Sequence, residues 1–153
     1  MKNWLVLLAL LPTTSIFAAE RMILSKTSSW GFGPPESRRI EACEIYADRV
    51  MINLTMGSAK IVETRFILGG ESLIPLVQDA AKEALESKSN NRCDAPRTTV
   101  TAYDVAPDAI RTTGVVLFAT GGCSEESKTR TGIAAQQLRW FIDGYCPQTF
   151  DAP

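Results

Sequence analysis

Four cysteines at positions 43, 93, 123 and 146, in a chain with no histidine, constrain this protein more than any other feature. Structural zinc sites use closely paired ligands such as C-x-x-C, often completed by histidine. Here successive cysteines are separated by 50, 30 and 23 positions, so that spacing is absent. A catalytic thiol would lack an imidazole partner. What remains is a disulfide framework of two bridges, with three possible connectivities, and this requires an oxidising compartment.

The amino terminus supplies a route to one. Residues 1–20 read MKNWLVLLALLPTTSIFAAE, with Lys2 ahead of the apolar run Trp4–Leu11, then Pro12, and small residues at Ala18 and Ala19. This is the layout of a secretory signal peptide cleaved after Ala18 or Ala19. The run of eight apolar residues is far short of the roughly 20 needed to span a bilayer. The expectation is a leader over residues 1–19 and a single globular domain over residues 20–153, secreted or periplasmic, without a membrane span.

Loss of Lys2 leaves 15 of the 16 basic residues against 17 acidic ones. A nucleic-acid binder would carry a basic surplus to neutralise phosphates, so nucleic acid is excluded as a partner. At 45% hydrophobic and 22% charged, the composition is that of a folded domain.

Strand signals dominate the first half. Residues 21–27 (RMILSKT) read as a first strand and SSWGFGPPES as a Gly/Pro-rich loop carrying Trp30 and Phe32. Residues 40–46 form a second strand with Cys43 and Ile45 on one face. Val50, Ile52, Leu54 and Met56 then alternate with more polar residues, the pattern of a strand with one buried face. A return strand spans residues 60–68. A three-residue loop at Gly57–Ala59 would oppose Leu54 with Val62 and Val50 with Phe66, matching apolar residues, whereas a two-residue loop would set Val50 against Arg65.

Gly69 and Gly70 end this unit, and a helix follows, with Ser72 as its N-cap and Pro75 in its first turn. Leu73, Leu76, Val77, Ala80, Ala81, Ala84 and Leu85 recur at amphipathic spacing. Residues 97–104 and 111–120 read as a hairpin around VAPDAI, SEESKT as a solvated loop, and residues 132–146 as a second helix. The order is ββββαββα. We expect an α+β fold with an antiparallel sheet of about five to six strands and both helices packed on one face. A hairpin centred near Asp108 sets Cys93 opposite Cys123, leaving Cys43 to bridge to Cys146.

No nucleotide-binding fingerprint, nucleophile elbow or calcium loop is present, so the sequence implies no cofactor, no metal and no catalytic triad. Carboxylate chemistry needs no histidine, and Glu41, Glu44, Glu63 and Asp104 are candidates for a hydrolytic pair. Nothing in their spacing selects two of them. Trp30 and Phe32 form either an exposed binding edge or a plug over the open end of the core. The sequence therefore points to an exported, disulfide-stabilised, non-enzymatic domain that binds another macromolecule, a protein or envelope component, as an interaction or inhibitor-type module. The alternatives are a small hydrolase with paired carboxylates and a small-molecule carrier with an apolar pocket. Fold class alone does not choose among them.

Overall fold

The computed structural model describes residues 21–30, 34–89, 96–104, 113–120 and 126–146. The expected leader, Phe32, Cys93 and Cys123 lie outside these residues. Eight strands and two helices follow one another. They are β1 (Leu24–Trp30), β2 (Arg39–Ile45), β3 (Arg49–Met56), β4 (Ala59–Phe66), α1 (Ile74–Lys82), β5 (Leu85–Ser89), β6 (Arg97–Asp104), β7 (Thr113–Thr120), β8 (Glu126–Arg130) and α2 (Ile133–Tyr145). The strands form one antiparallel sheet in the order β4-β3-β2-β1-β6-β7-β8-β5. The fold is α+β, with more strands than the five to six expected and the order ββββαββββα.

The two unanticipated strands are polar. β5 is LESKS, exposed throughout, and β8 is ESKTR. They pair from Leu85 opposite Arg130 to Ser89 opposite Glu126, and β8 joins β7 at Phe118–Thr129 and Ala119–Lys128. Backbone pairing with neighbours makes strands of segments whose side chains carry no hydrophobic alternation. As a result α1 is shorter than its apolar spacing suggests, with Glu83 already extended at ψ 152°. Ser72 does not cap it. That residue lies in a 3-10 turn over Gly70–Leu73, where its hydroxyl donates to the Gly69 carbonyl at 2.6 Å.

Cross-strand partners lay the core out in rows. Ala102, Leu24, Ile45 and Val50 form the first row across four strands, and all are fully buried. Val100, Lys26, Cys43 and Ile52 form the second. Onto this face pack Val77 and Ala80 of α1 and Ala134, Ala135, Leu138 and Ile142 of α2, in one apolar cluster. The 134, 138, 142 spacing is one helical stripe, and burying a residue such as Leu138 contributes about 1.5–3 kcal/mol. The opposite face carries Ser25, Thr27, Ser29, Thr99 and Thr101, none of them buried, as one side of an antiparallel sheet permits.

The expected register of the first hairpin is corrected, and the second carries a bulge. β3 and β4 join through a two-residue turn, with Met56 opposite Ala59, Leu54 opposite Ile61 and Val50 opposite Arg65. Gly57 takes φ +57°, the left-handed conformation that two-residue hairpins use. Hydrophobic matching loses because every residue of β4 is exposed, so nothing buried rewards the other register. In the second hairpin, Asp104 pairs with Thr113 and Thr101 with Val116, and the register then shifts so that Val100 faces Phe118. Leu117 is left unpaired in a bulge that lets it (0% exposed) and Phe118 both reach the core.

Cys43 and Cys146 are joined by a disulfide with a Cα–Cα distance of 5.9 Å, and both are buried. The bridge ties the second row of the sheet to the residue following α2.

Candidate binding face

The carboxyl end of α2 meets the sheet at the second row. There the Lys26 ammonium donates to the Asp143 carboxylate at 2.7 Å, joining β1 to the last turn of α2. Asp143 has the wrong sign for a helix carboxyl end, and Lys26 supplies the positive charge that this end favours. The disulfide holds Cys146 over Cys43 in the same row. The sheet continues past this point on the same face. Thr98, Ser28, Glu41, Leu54 and Ile61 make a third row, and Trp30, Arg39, Met56 and Ala59 a fourth.

These rows change character from floor to rim. Ser28 and Glu41 are buried, at 4% and 5% exposure, and the Ser28 and Thr98 hydroxyls lie 3.1 Å apart. Trp30, Met56 and Ile61 are 45%, 49% and 59% exposed. An indole and a thioether thus flank Arg39 on paired strands, and Ile61 lies on the next strand opposite Leu54. Trp, Met and Arg are enriched at protein interfaces because they bury large contact areas, and a paired sheet holds them at low entropic cost.

Trp30 closes β1 opposite Arg39 instead of sitting in the expected loop. It is half-exposed, so it neither plugs the core fully nor stands free. No sequence signal marked Met56 as a surface residue, because alternation assigns it to the buried side of β3, and the expected register put Val62, not Ile61, on that face.

The candidate carboxylates are not brought together. Glu41 and Glu63 share the helix-side face with β3 between them, and Glu44 points to the other face and accepts from the Tyr46 hydroxyl at 3.0 Å. Asp104 ends β6, opposite Thr113. Glu63 is held below the usual glutamate range by the hydrogen bond from Arg65 Nε at 2.6 Å, reinforced by the Arg65 charge. A general acid needs the opposite shift.

Two surface depressions lie elsewhere. One of about 320 Å³ between α2 and β8 is lined by residues including Arg130, Gln136, Arg139, Trp140 and Asp143. The other, of about 340 Å³, includes Arg97, Thr99, Thr120, Glu126 and Lys128. Both are open to solvent, unlike the enclosed apolar chamber of a lipophile carrier. Among the described residues, no three His, Cys, Asp or Glu side chains are placed to hold a metal ion. Nor is any helix among them long and apolar enough to cross a membrane.

Among the described residues, the site and fold define a small α+β domain with one disulfide, two helices and a sheet face that carries exposed Trp30, Met56 and Ile61. Comparison of the chain with protein-family models, with curated proteins and with solved structures returns no match. The functional argument therefore rests on the exposed face itself.

Proposed function

We propose that the chain is an exported, non-enzymatic module that binds another protein or envelope component through the face built by Trp30, Arg39, Met56 and Ile61. The observation that carries this reading is that Trp30, Met56 and Ile61 are half-exposed on one face of paired strands, around Arg39 and Leu54. The signal-peptide pattern of residues 1–19 supports delivery to the periplasm or beyond. The Cys43–Cys146 bridge suits an oxidising destination. In the same reading Cys93 and Cys123 form the second bridge, and Phe32 extends the contact surface from the loop after Trp30.

The test is capture by the oxidised protein from its own exported compartment, comparing wild type with Trp30→Ala and Met56→Ala. Loss of an aromatic anchor at the centre of an interface weakens binding roughly thirtyfold or more. The melting temperature should stay nearly unchanged, since both side chains are half in solvent. Undiminished capture, or a large fall in stability that marks Trp30 as core, overturns the reading.

A further inference from the structure

The two edges of the sheet are defended unequally. β5, at one edge, is five residues long and carries Glu86 and Lys88. Short, charged strands of this kind keep sheet edges from pairing with other chains. β4, at the other edge, has eight residues, all exposed, among them Ile61, Val62 at 52% and Phe66 at 83%. Among the described residues, nothing pairs with its outer side.

The hairpin register shows which backbone groups face outward. Met56 and Ala59 flank the two-residue turn, and such a flanking pair is hydrogen-bonded, with the pattern alternating along the ladder. Ala59, Ile61, Glu63 and Arg65 therefore bond to β3, while Lys60, Val62, Thr64 and Phe66 direct their N–H and C=O groups away from it.

A second copy can meet this edge antiparallel about a two-fold axis perpendicular to the sheet. Each face then stays on its own side, and the possible registers differ in which residue sits on the axis. Centring on Glu63 opposes two carboxylates, and centring on Arg65 opposes two guanidiniums. Centring on Val62 sets Glu63 against Ile61. Centring on Thr64 sets Glu63 against the second copy's Arg65 twice and Val62 against its Phe66 twice. Opposite-charge and apolar cross-strand pairs of these kinds stabilise sheets. In that register Val62, Thr64 and Phe66 are also the residues whose backbone groups are free to bond. Glu63 and Arg65 already pair within one strand at 2.6 Å, so dimerisation would join two such pairs into a ring of alternating charge.

We propose that the chain forms a symmetric homodimer by β4–β4 pairing centred on Thr64, extending the eight-stranded sheet across the axis. The two Trp30 faces then lie on the same side of one continuous sheet.

Sedimentation equilibrium of the oxidised, exported protein should show a reversible monomer–dimer equilibrium. Glu63→Arg places like charges opposite each other twice and should weaken the dimer about tenfold or more. The double variant Glu63→Arg/Arg65→Glu restores opposite pairing and should restore the dimer. Thr64→Pro removes an outward N–H while leaving the β3 side intact, and should yield a folded monomer by circular dichroism. Should Thr64→Pro fail to fold, the charge-swap pair decides alone. A wild-type protein monomeric at every soluble concentration overturns the proposal. So does a dimer indifferent to Glu63→Arg, one not regained in the double variant, or an edge filled by another polypeptide. Capture through Trp30 is measured separately on the monomeric variants, so failure of the dimer and failure of the binding face are told apart.

Discussion

The carboxylate of Glu83 caps the amino end of α2, a helix that begins fifty residues later in the chain: it accepts the backbone N–H of Ala134 at 2.8 Å and of Ala135 at 3.2 Å. The residue in the local N-cap position, Gly132, offers no side-chain cap of its own. A Cβ there would overlap the Glu83 carboxylate, so the glycine is what lets the distant cap approach. The Glu83 carbonyl in turn accepts from the Arg130 guanidinium, which also donates to the Val116 carbonyl at 3.0 Å. One residue just past α1 thereby links both helices to β7 and β8.

Removing this part-buried cap should be costly. Glu83→Ala leaves two helix N–H groups unpaired and removes a negative charge from the helix amino end, a loss of about 1–2 kcal/mol. Gly132→Ala should cost a similar amount in wild type by displacing the carboxylate, and little in the Glu83→Ala background. Denaturant unfolding of the two single variants and the double checks this. Additive losses would show that the two residues act independently.

The Cys43–Cys146 bridge closes a loop with a sequence separation of 103. On the loop-entropy model a bridge of this span contributes about 4.7 kcal/mol, set against a total domain stability of about 5–15 kcal/mol. The Cys43→Ala/Cys146→Ala variant should therefore melt far below wild type and populate unfolded chain near ambient temperature. Because both sulfurs are buried, reductant should act on the native protein only after it opens. Calorimetry with and without reductant measures both effects, and a loss under about 1 kcal/mol contradicts the entropic account.

Glu63 should titrate below the ordinary glutamate range, because the Arg65 hydrogen bond stabilises its charged form. A carboxylate whose folded pKa lies below its unfolded value adds stability above the unfolded pKa and loses it as pH falls through the folded one. Both partners are exposed and screened, so the melting temperature should change little across that range. NMR titration of the Glu63 side chain should show the depressed midpoint, and Arg65→Gln should return it to the ordinary range. An unchanged midpoint in Arg65→Gln would assign the shift to another cause.

The hydrophobic strands and the second helix were legible because burial writes a period into sequence. Val50 and Ile52 alternate with half-buried neighbours, and Ala134, Leu138 and Ile142 recur every fourth residue. β5 and β8 were not legible, since LESKS and ESKTR are held by backbone ladders that leave no trace in residue type. The Val50–Arg65 register was misread for a related reason: hydrophobic matching has no force on an edge strand with nothing packed against it. Of the binding face, Trp30 was visible as an aromatic residue beside glycines. Met56 was hidden by an alternation that gives the face of a strand but not whether a helix reaches over it, and Ile61 by the misread hairpin register, which set Val62 opposite Leu54.

By itself, the sequence determined the fold class, the central strands, the second helix and the lack of any histidine for chemistry. These follow from local periodicity and composition, which the chain carries whatever its partners. Only the tertiary structure decided that Glu83 caps α2 and that Trp30, Met56 and Ile61 stay half in solvent. Each depends on where a helix ends relative to a row of the sheet. That end point is set by contacts between residues far apart in the chain, which no local pattern records.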